Sequence, residues 1–416
     1  MLALLLVAIF VAFAEGMDLG PMTKAITKGA GNTLGGVGLV IILGAALGQL
    51  MTDCGASKKI ADTVVAHCGR KYLQIGLLAV GTVFGIAMFF EVAFMIVVPL
   101  VVSIAREAKI PYMFLIVPVL AAVAQAHSLF PPQPGPTALM DAFNVDSGSI
   151  YLLGMIVLIP SIVAAGLILP RFYKDINEFP DPKLGNITEV AVGDYKLPNF
   201  LICLLVPLIP AILMISTTVG DALFPMDSKG MEILNFLGSP NISLLIAVFV
   251  ALYIFGIRAG RTIEEASTSV TNAIKSISTV VLIIAAGGVF KEIIIEAGVG
   301  EHIAAAVTGM SVNPLILAWF ITAIIRWATG QGAVSAITAA GIVAPLIPVF
   351  DVNPTLLLLA TAAGSNTITL PNDAAFWMMK ETFNLSMVQT FKTWGLLELI
   401  NSVVGLAMVL ILSMFI

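Results

Sequence analysis

The sequence predicts an all-α, polytopic helical membrane protein with two inverted repeats and broken helices, and three observations predict it. Of 416 residues, 59% are hydrophobic and 11% are charged, whereas a soluble domain carries about 25% charged residues. Several apolar runs approach or exceed the roughly 20 residues that carry a helix across a bilayer. Two polar, proline-containing stretches interrupt such runs in corresponding places: Ala126 to Pro136 (AHSLFPPQPGP) and Ser365 to Asp373 (SNTITLPND). Proline removes a backbone donor and forbids a continuous helix. Non-helical backbone at membrane depth survives only where protein or a water-filled cavity surrounds it. Paired interruptions of this kind are the sequence pointer to the binding site of a secondary transporter.

Taken in order, Met1 to Met17 is apolar but short, a marginal span. It has no basic residue ahead of it and no clear cleavage motif, so a signal peptide is not expected. Lys24 and Lys28 mark the next loop, and Leu34 to Met51 is a span whose glycines permit close helix packing. Ser57 to His67 (SKKIADTVVAH) is amphipathic and is expected to lie in the interface. Leu73 to Ala105 is too long for one straight crossing and is divided at Phe89-Phe90-Glu91. Ile110 to Ala126, the first break and the span Ile150 to Leu169 follow. Arg171 to Lys196 is the long polar stretch and reads as an extramembrane linker; Phe200 to Ser216 and Ile242 to Ile257 are further spans. The organisation is therefore an N-terminal membrane half (1–173), a polar linker (174–197), connecting spans (198–275) and a C-terminal membrane half (276–416).

The second half repeats the first weakly. GQLMTDCGASKKIADTVV from Gly48 lines up with KEIIIEAGVGEHIAAAVT from Lys291, VVPL at Pro99 echoes VAPL at Pro345, and Pro132 falls opposite Pro371. Antiparallel halves would bring the two breaks face to face near the midplane.

Each break is followed by a helix start. Pro136 fits the first helical position with Gly135 as cap, and Asn372 or Asp373 can cap a helix over Ala374 to Glu381. Unpaired N–H groups and the helix dipole make such starts favourable for an anion. Ser128, Gln133, Asn366, Thr367 and Asn372 add donors and acceptors suited to hydroxyl groups, so the mixture fits a small hydroxylated carboxylate. Glu91 stands inside MFFEVAF, and an intramembrane acid is a functional candidate by default. Arg326 in AIIRWATGQG is the matching cation, to pair with Glu91 or to grip a carboxylate bidentately. His127 can titrate near physiological pH.

Other classes are excluded or unsupported. A net charge of −5 with no basic patch gives no sign of nucleic-acid binding. Cys54, Cys68 and Cys203 have neither metal nor disulfide spacing. No Walker-type phosphate loop, haem motif or metal-ligand cluster occurs, so neither cofactor nor metal is expected, and no catalytic set marks an enzyme.

FFEVAFMIVVPLVVSIARE, FPPQPGPTA, AGIVAP and NDAAFWMMKETFNLSMVQTFKTW together resemble the gluconate:proton symporter family of bacterial inner-membrane permeases, from about Gly31 onward. The resemblance implies uptake of sugar acids with proton symport across the inner membrane. D-serine and short hydroxy acids such as glycerate are alternative substrates, and a sodium-coupled or passive facilitator is the alternative mechanism. It also implies a homodimer that moves a transport domain against a scaffold in an elevator-like way. The chain departs from the family pattern where Gln133 replaces a usual histidine and where Thr369 to Pro371 replaces Ser-His-Val. Glu91, Asp373 and His127 are the candidate proton carriers the chain retains, with Glu91, the most apolar in its flanks, ranked first.

Overall fold

The computed structural model describes residues 2–87, 89–90, 93–94, 97–98, 101–102, 104–105, 110–173, 195–196, 198–223, 229–297, 312–371 and 373–416. Among these every regular element is helical. Five helical stretches are long and apolar enough to cross a membrane: Met113–Phe143, Ser147–Phe172, Phe200–Thr217, Pro240–Ala259 and Met387–Leu412.

The chain opens with α1 (Leu2–Ala14) and α2 (Leu19–Thr33). Lys24 and Lys28 thus lie on a helix, not in a loop. Met22, Ala25 and Gly29 recur at helical spacing and are buried, so one face of α2 packs inward while its lysines stay outside. Lys28 pairs with Glu292 at 2.5 Å and Glu296 at 3.0 Å. After a π-turn, α3 (Leu39–Asp53) leads into α4 (Ala56–Ala87). Gly69, at φ 57°, breaks α4 into two parts. The amphipathic stretch predicted for the interface is the first part, and its Ala56, Ser57 and Ile60 are buried against the protein.

The helix α5 (Met113–Leu129) packs tightly on the second part of α4. A Cβ on Gly81 would stand 2.3 Å from the Val119 carbonyl oxygen, and one on Gly85 2.5 Å from that of Val123. The two backbones are in contact because glycine leaves them room. Gly85→Val is therefore expected to destabilise the fold by about 1–3 kcal/mol through overpacking. A lowered melting temperature of the purified variant checks this; an unchanged one contradicts the close approach.

Then comes a unit that the chain builds twice. In the first copy α5 ends at the polar break, α6 (Pro134–Phe143) is short, Asn144 turns the chain in the left-handed region at φ 51°, and Asp146 caps α7 (Ser147–Ile162). The second copy follows α8 (Phe200–Leu223), α9 (Lys229–Gly238), α10 (Pro240–Ala251), α11 (Ile263–Glu296), α12 (Pro314–Thr329), α13 (Gly332–Val343) and α14 (Leu346–Phe350). There α15 (Pro354–Ser365) ends at the second break, α16 (Ala374–Thr382) is short, and Asn384 turns at φ 51°. Ser386 then caps α17 (Met387–Thr390), which runs on into α18 (Leu396–Leu412). Asparagine tolerates the left-handed region better than other side chains, and Asp and Ser satisfy the free N–H groups of the following helix.

One difference concerns the first break. The helix after it starts at Pro134 with Gln133 at the N-cap, not at Pro136 with Gly135. Both prolines fall in the first turn, where backbone N–H groups have no intrahelical acceptor, so the sequence fits either start. Of the 174–197 linker only Tyr195 and Lys196 are described, Lys196 donating its N–H to Ala259 at 3.1 Å. The aligned stretch from Lys291 lies largely outside the described residues beyond Ala297.

Candidate functional site: a buried cavity between the two breaks

A cavity of about 100 Å³ lies between the two interruptions. His127 and Ser128, at the end of α5, face it from one side together with Pro134, Gly135 and Pro136 of the α6 start. Ser365, Asn366, Asp373 and Ala375 face it from the second break. Arg326 of α12, Gln331 to Ala333 at the α13 start, Phe89, Phe90, Ala124, Trp394 and Glu398 complete the wall. Residues more than two hundred positions apart thus share one cavity.

Three helix starts border it, and they differ in their caps. Asp373 caps α16 by accepting the Ala375 N–H at 2.8 Å, as its position in the sequence predicts. The starts of α6 and α13 carry no side-chain cap. Their first-turn N–H groups, Gly332 and Ala333 in α13 and Gly135 in α6, keep the positive end of the helix dipole uncompensated beside the cavity.

Arg326 is the cation at this site and is only 4% exposed. Its Nη2 donates to Asp373 Oδ2 at 2.6 Å, to Glu398 Oε2 at 3.1 Å and to Thr369 Oγ1 at 3.4 Å. Its Nε and Nη1 are buried and have no hydrogen-bond partner among the described residues. One nitrogen therefore serves two carboxylates while two further donors stay idle. Buried donors without partners are costly, and each of these two shares one flat edge of the guanidinium with Nη2, an edge that matches a carboxylate once Nη2 is freed.

The other sequence candidates separate. His127, Ser128, Arg326, Asn366 and Asp373 line the cavity. Ser128 donates back to the Gln125 carbonyl at 3.0 Å, leaving its oxygen able to accept. Gln133 is not in the wall. Its Nε2 donates to the Gly85 and Ile86 carbonyls at 3.0 and 3.2 Å and satisfies free carbonyls at the buried C-terminal end of α4. Thr367 is fully buried, is not in the wall, and its hydroxyl has no partner among the described residues. Glu91 and Asn372 lie outside the described residues, so the expected pairing of Glu91 with Arg326 concerns a residue outside them; the described partners are Asp373 and Glu398.

Two groups of residues escaped the sequence reading. Glu398 sits in GLLELINS, an acid inside an apolar run, which is the same signal that singles out Glu91. Gln125 and Asn401 form a buried amide chain: Asn366 Nδ2 donates to Gln125 Oε1 at 2.8 Å, Gln125 Nε2 to the Asn401 carbonyl at 3.4 Å, and Asn401 Nδ2 to the Ala121 carbonyl at 3.0 Å. Their pairing across the chain leaves no local signature.

A helical membrane fold whose broken helices meet at one partly enclosed cavity is the build of a permease. The chain belongs to the GntP permease family, which it matches over residues 1–415. It is 48% identical to a high-affinity gluconate transporter of Escherichia coli K12, over 100% of this chain and 94% of that protein. It is 38% identical to the Gnt-II system L-idonate transporter of the same organism, over 99% of this chain and 93% of that protein. In fold it is similar to the crystal structure of the Alcanivorax borkumensis YdaH transporter, with a TM-score of 0.68 at 16% identity, covering 96% of this chain and 90% of that one. It is a multi-pass protein of the bacterial cytoplasmic membrane.

Proposed function

We propose that the chain takes up small hydroxylated monocarboxylates of the sugar-acid class, gluconate foremost, by symport with protons. The observation that carries this reading is the two idle Arg326 donors beside an uncapped helix start in a partly enclosed cavity. A carboxylate answers both: an edge made of one idle donor and Nη2 can take its two oxygens, and the α13 N–H groups add a second positive field. Ser128, Asn366 and His127 are then left for the hydroxyl groups. Relatives that transport gluconate and L-idonate support the same substrate class. The reading includes two inverted halves, 1–173 and 276–416, as the internal sequence repeat suggests, and a homodimer with elevator-like movement, as the family resemblance implies.

The test uses purified protein in liposomes. An inward-directed proton gradient without sodium is expected to drive gluconate accumulation, and an uncoupler to collapse it. Gluconate but not gluconamide or the neutral lactone is expected to compete, because only the acid presents a charge to Arg326. Equal competition by the neutral analogues overturns the anion site. Uptake that follows a sodium gradient and ignores the proton gradient overturns the coupling.

A further inference from the structure

We propose that Glu398 carries the coupling proton and that the substrate carboxylate takes its place on Arg326. The inference rests on the reading of proton-driven sugar-acid uptake and names the group that performs it.

The two carboxylates on Arg326 are held unequally. Asp373 is fixed at both oxygens, Oδ1 by the Ala375 N–H at 2.8 Å and Oδ2 by Arg326 at 2.6 Å. Among the described residues Glu398 has a single polar partner, Arg326, through the longer 3.1 Å bond, and its side chain is almost fully buried. The triad holds one positive and two negative groups, so with both acids ionised it carries a surplus negative charge in a buried space. A second anion entering that space meets repulsion. One proton on Glu398 removes the surplus, ends its claim on the guanidinium, and leaves Arg326 with Asp373 alone. An entering monocarboxylate then restores the same total charge that the empty, deprotonated site had. One proton therefore accompanies one monovalent anion, and the cavity never holds an excess of more than one negative charge.

Among the described residues the charged and titratable groups around Glu398 are few. Arg326 comes from α12, Asp373 from the second break and His127 from α5, all in the cavity wall. On its own helical stretch Lys392 is exposed, away from the site. Glu398 lies on the α18 side of the cavity, while Asp373 belongs to the start of α16, which it caps. Movement of one helix relative to the other would loosen the weaker of the two bonds first, and that is the bond to Glu398.

The experiment measures gluconate binding and transport by the full-length protein from pH 5 to pH 8. Wild type is expected to take up about one proton per gluconate bound. Its affinity should weaken by up to about tenfold per pH unit above the titration of the site, as linkage of one proton requires. Glu398→Gln, which mimics the protonated acid, is expected to bind gluconate with nearly pH-independent affinity. It should exchange gluconate across the membrane, and it should fail to concentrate it under a proton gradient. Glu398→Asp keeps a titrating acid and is expected to keep the pH dependence. Glu398→Gln with the wild-type pH slope, or with gradient-driven accumulation, overturns the assignment. So does a flat profile in His127→Asn while Glu398→Gln stays steep. No proton uptake by wild type on gluconate binding overturns it without recourse to any variant. Wild type that binds no sugar acid at any pH instead sinks the transport reading beneath it, a result distinguishable from all of these.

Discussion

Arg326→Ala is expected to abolish concentrative uptake and to lower stability by about 3–5 kcal/mol, the cost of leaving buried charges without their partner. The substitution strands Asp373 and Glu398 together in a space where each is less than a tenth exposed. Adding Glu398→Gln to Arg326→Ala removes one of the two stranded charges, so the double variant is expected to be more stable than the single one while remaining inactive. Arg326→Lys separates the two jobs of the side chain. A lysine nitrogen can occupy the place of Nη2 and hold Asp373, Glu398 and Thr369 together, but it cannot present the further donors Nε and Nη1. That variant is expected to fold with near wild-type stability and to lose most of its sugar-acid affinity. Melting temperatures of the three purified proteins, with binding isotherms for wild type and the lysine variant, check the set. Wild-type stability in Arg326→Ala contradicts a dry, coupled triad. Wild-type affinity in Arg326→Lys contradicts carboxylate capture by the fork.

Sequence and structure agree where the signal is local. Prolines in an apolar run mark both breaks, and Asp373 two residues beyond Pro371 announces a helix cap, which the Ala375 N–H confirms. The start of α6 was legible only to within two residues, because Pro134 and Pro136 both suit a first turn. Direction is what the sequence withholds. Gln133 and Ser128 stand five residues apart in the same polar stretch, yet Ser128 faces the cavity and Gln133 turns back to the end of α4. A polar side chain in a break can satisfy a ligand or a neighbouring backbone, and only the packing of α4 against α5 decides. Partners far along the chain are invisible for the same reason. Glu398 reaches Arg326 across 72 positions and Asn366 reaches Gln125 across 241. The acid in GLLELINS could have been singled out on the argument applied to Glu91, since burying a charge in an apolar run requires a partner, but its partner could not have been named.

The second large effect is expected at Gln125, a residue that touches no part of the cavity. Its Oε1 accepts from Asn366 Nδ2 at 2.8 Å, while its Nε2 reaches the Asn401 carbonyl at 3.4 Å. It is fully buried on α5, one turn below His127 and Ser128. Gln125 therefore ties the end of α15 to the end of α5, and with them the two sides of the cavity. Close packing supports the tie: a Cβ on Gly405 of α18 would approach Gln125 Nε2 to 3.2 Å. Gln125→Leu has a similar volume but offers no acceptor, so the buried Asn366 amide loses its partner at a cost of about 1–3 kcal/mol. Asn366 can recover that loss only by turning away from its present direction, which takes it out of register with Ser128 across the cavity. Sugar-acid affinity is then expected to fall by roughly 5- to 150-fold, the same energy expressed as binding. Gln125→Glu provides the control: its carboxyl oxygen can still accept from Asn366, so it is expected to lose less affinity than leucine. Binding isotherms for the two variants, measured at one pH, decide the matter. Equal affinity in wild type and Gln125→Leu would show that Asn366 is held, or acts, independently of its link to Gln125.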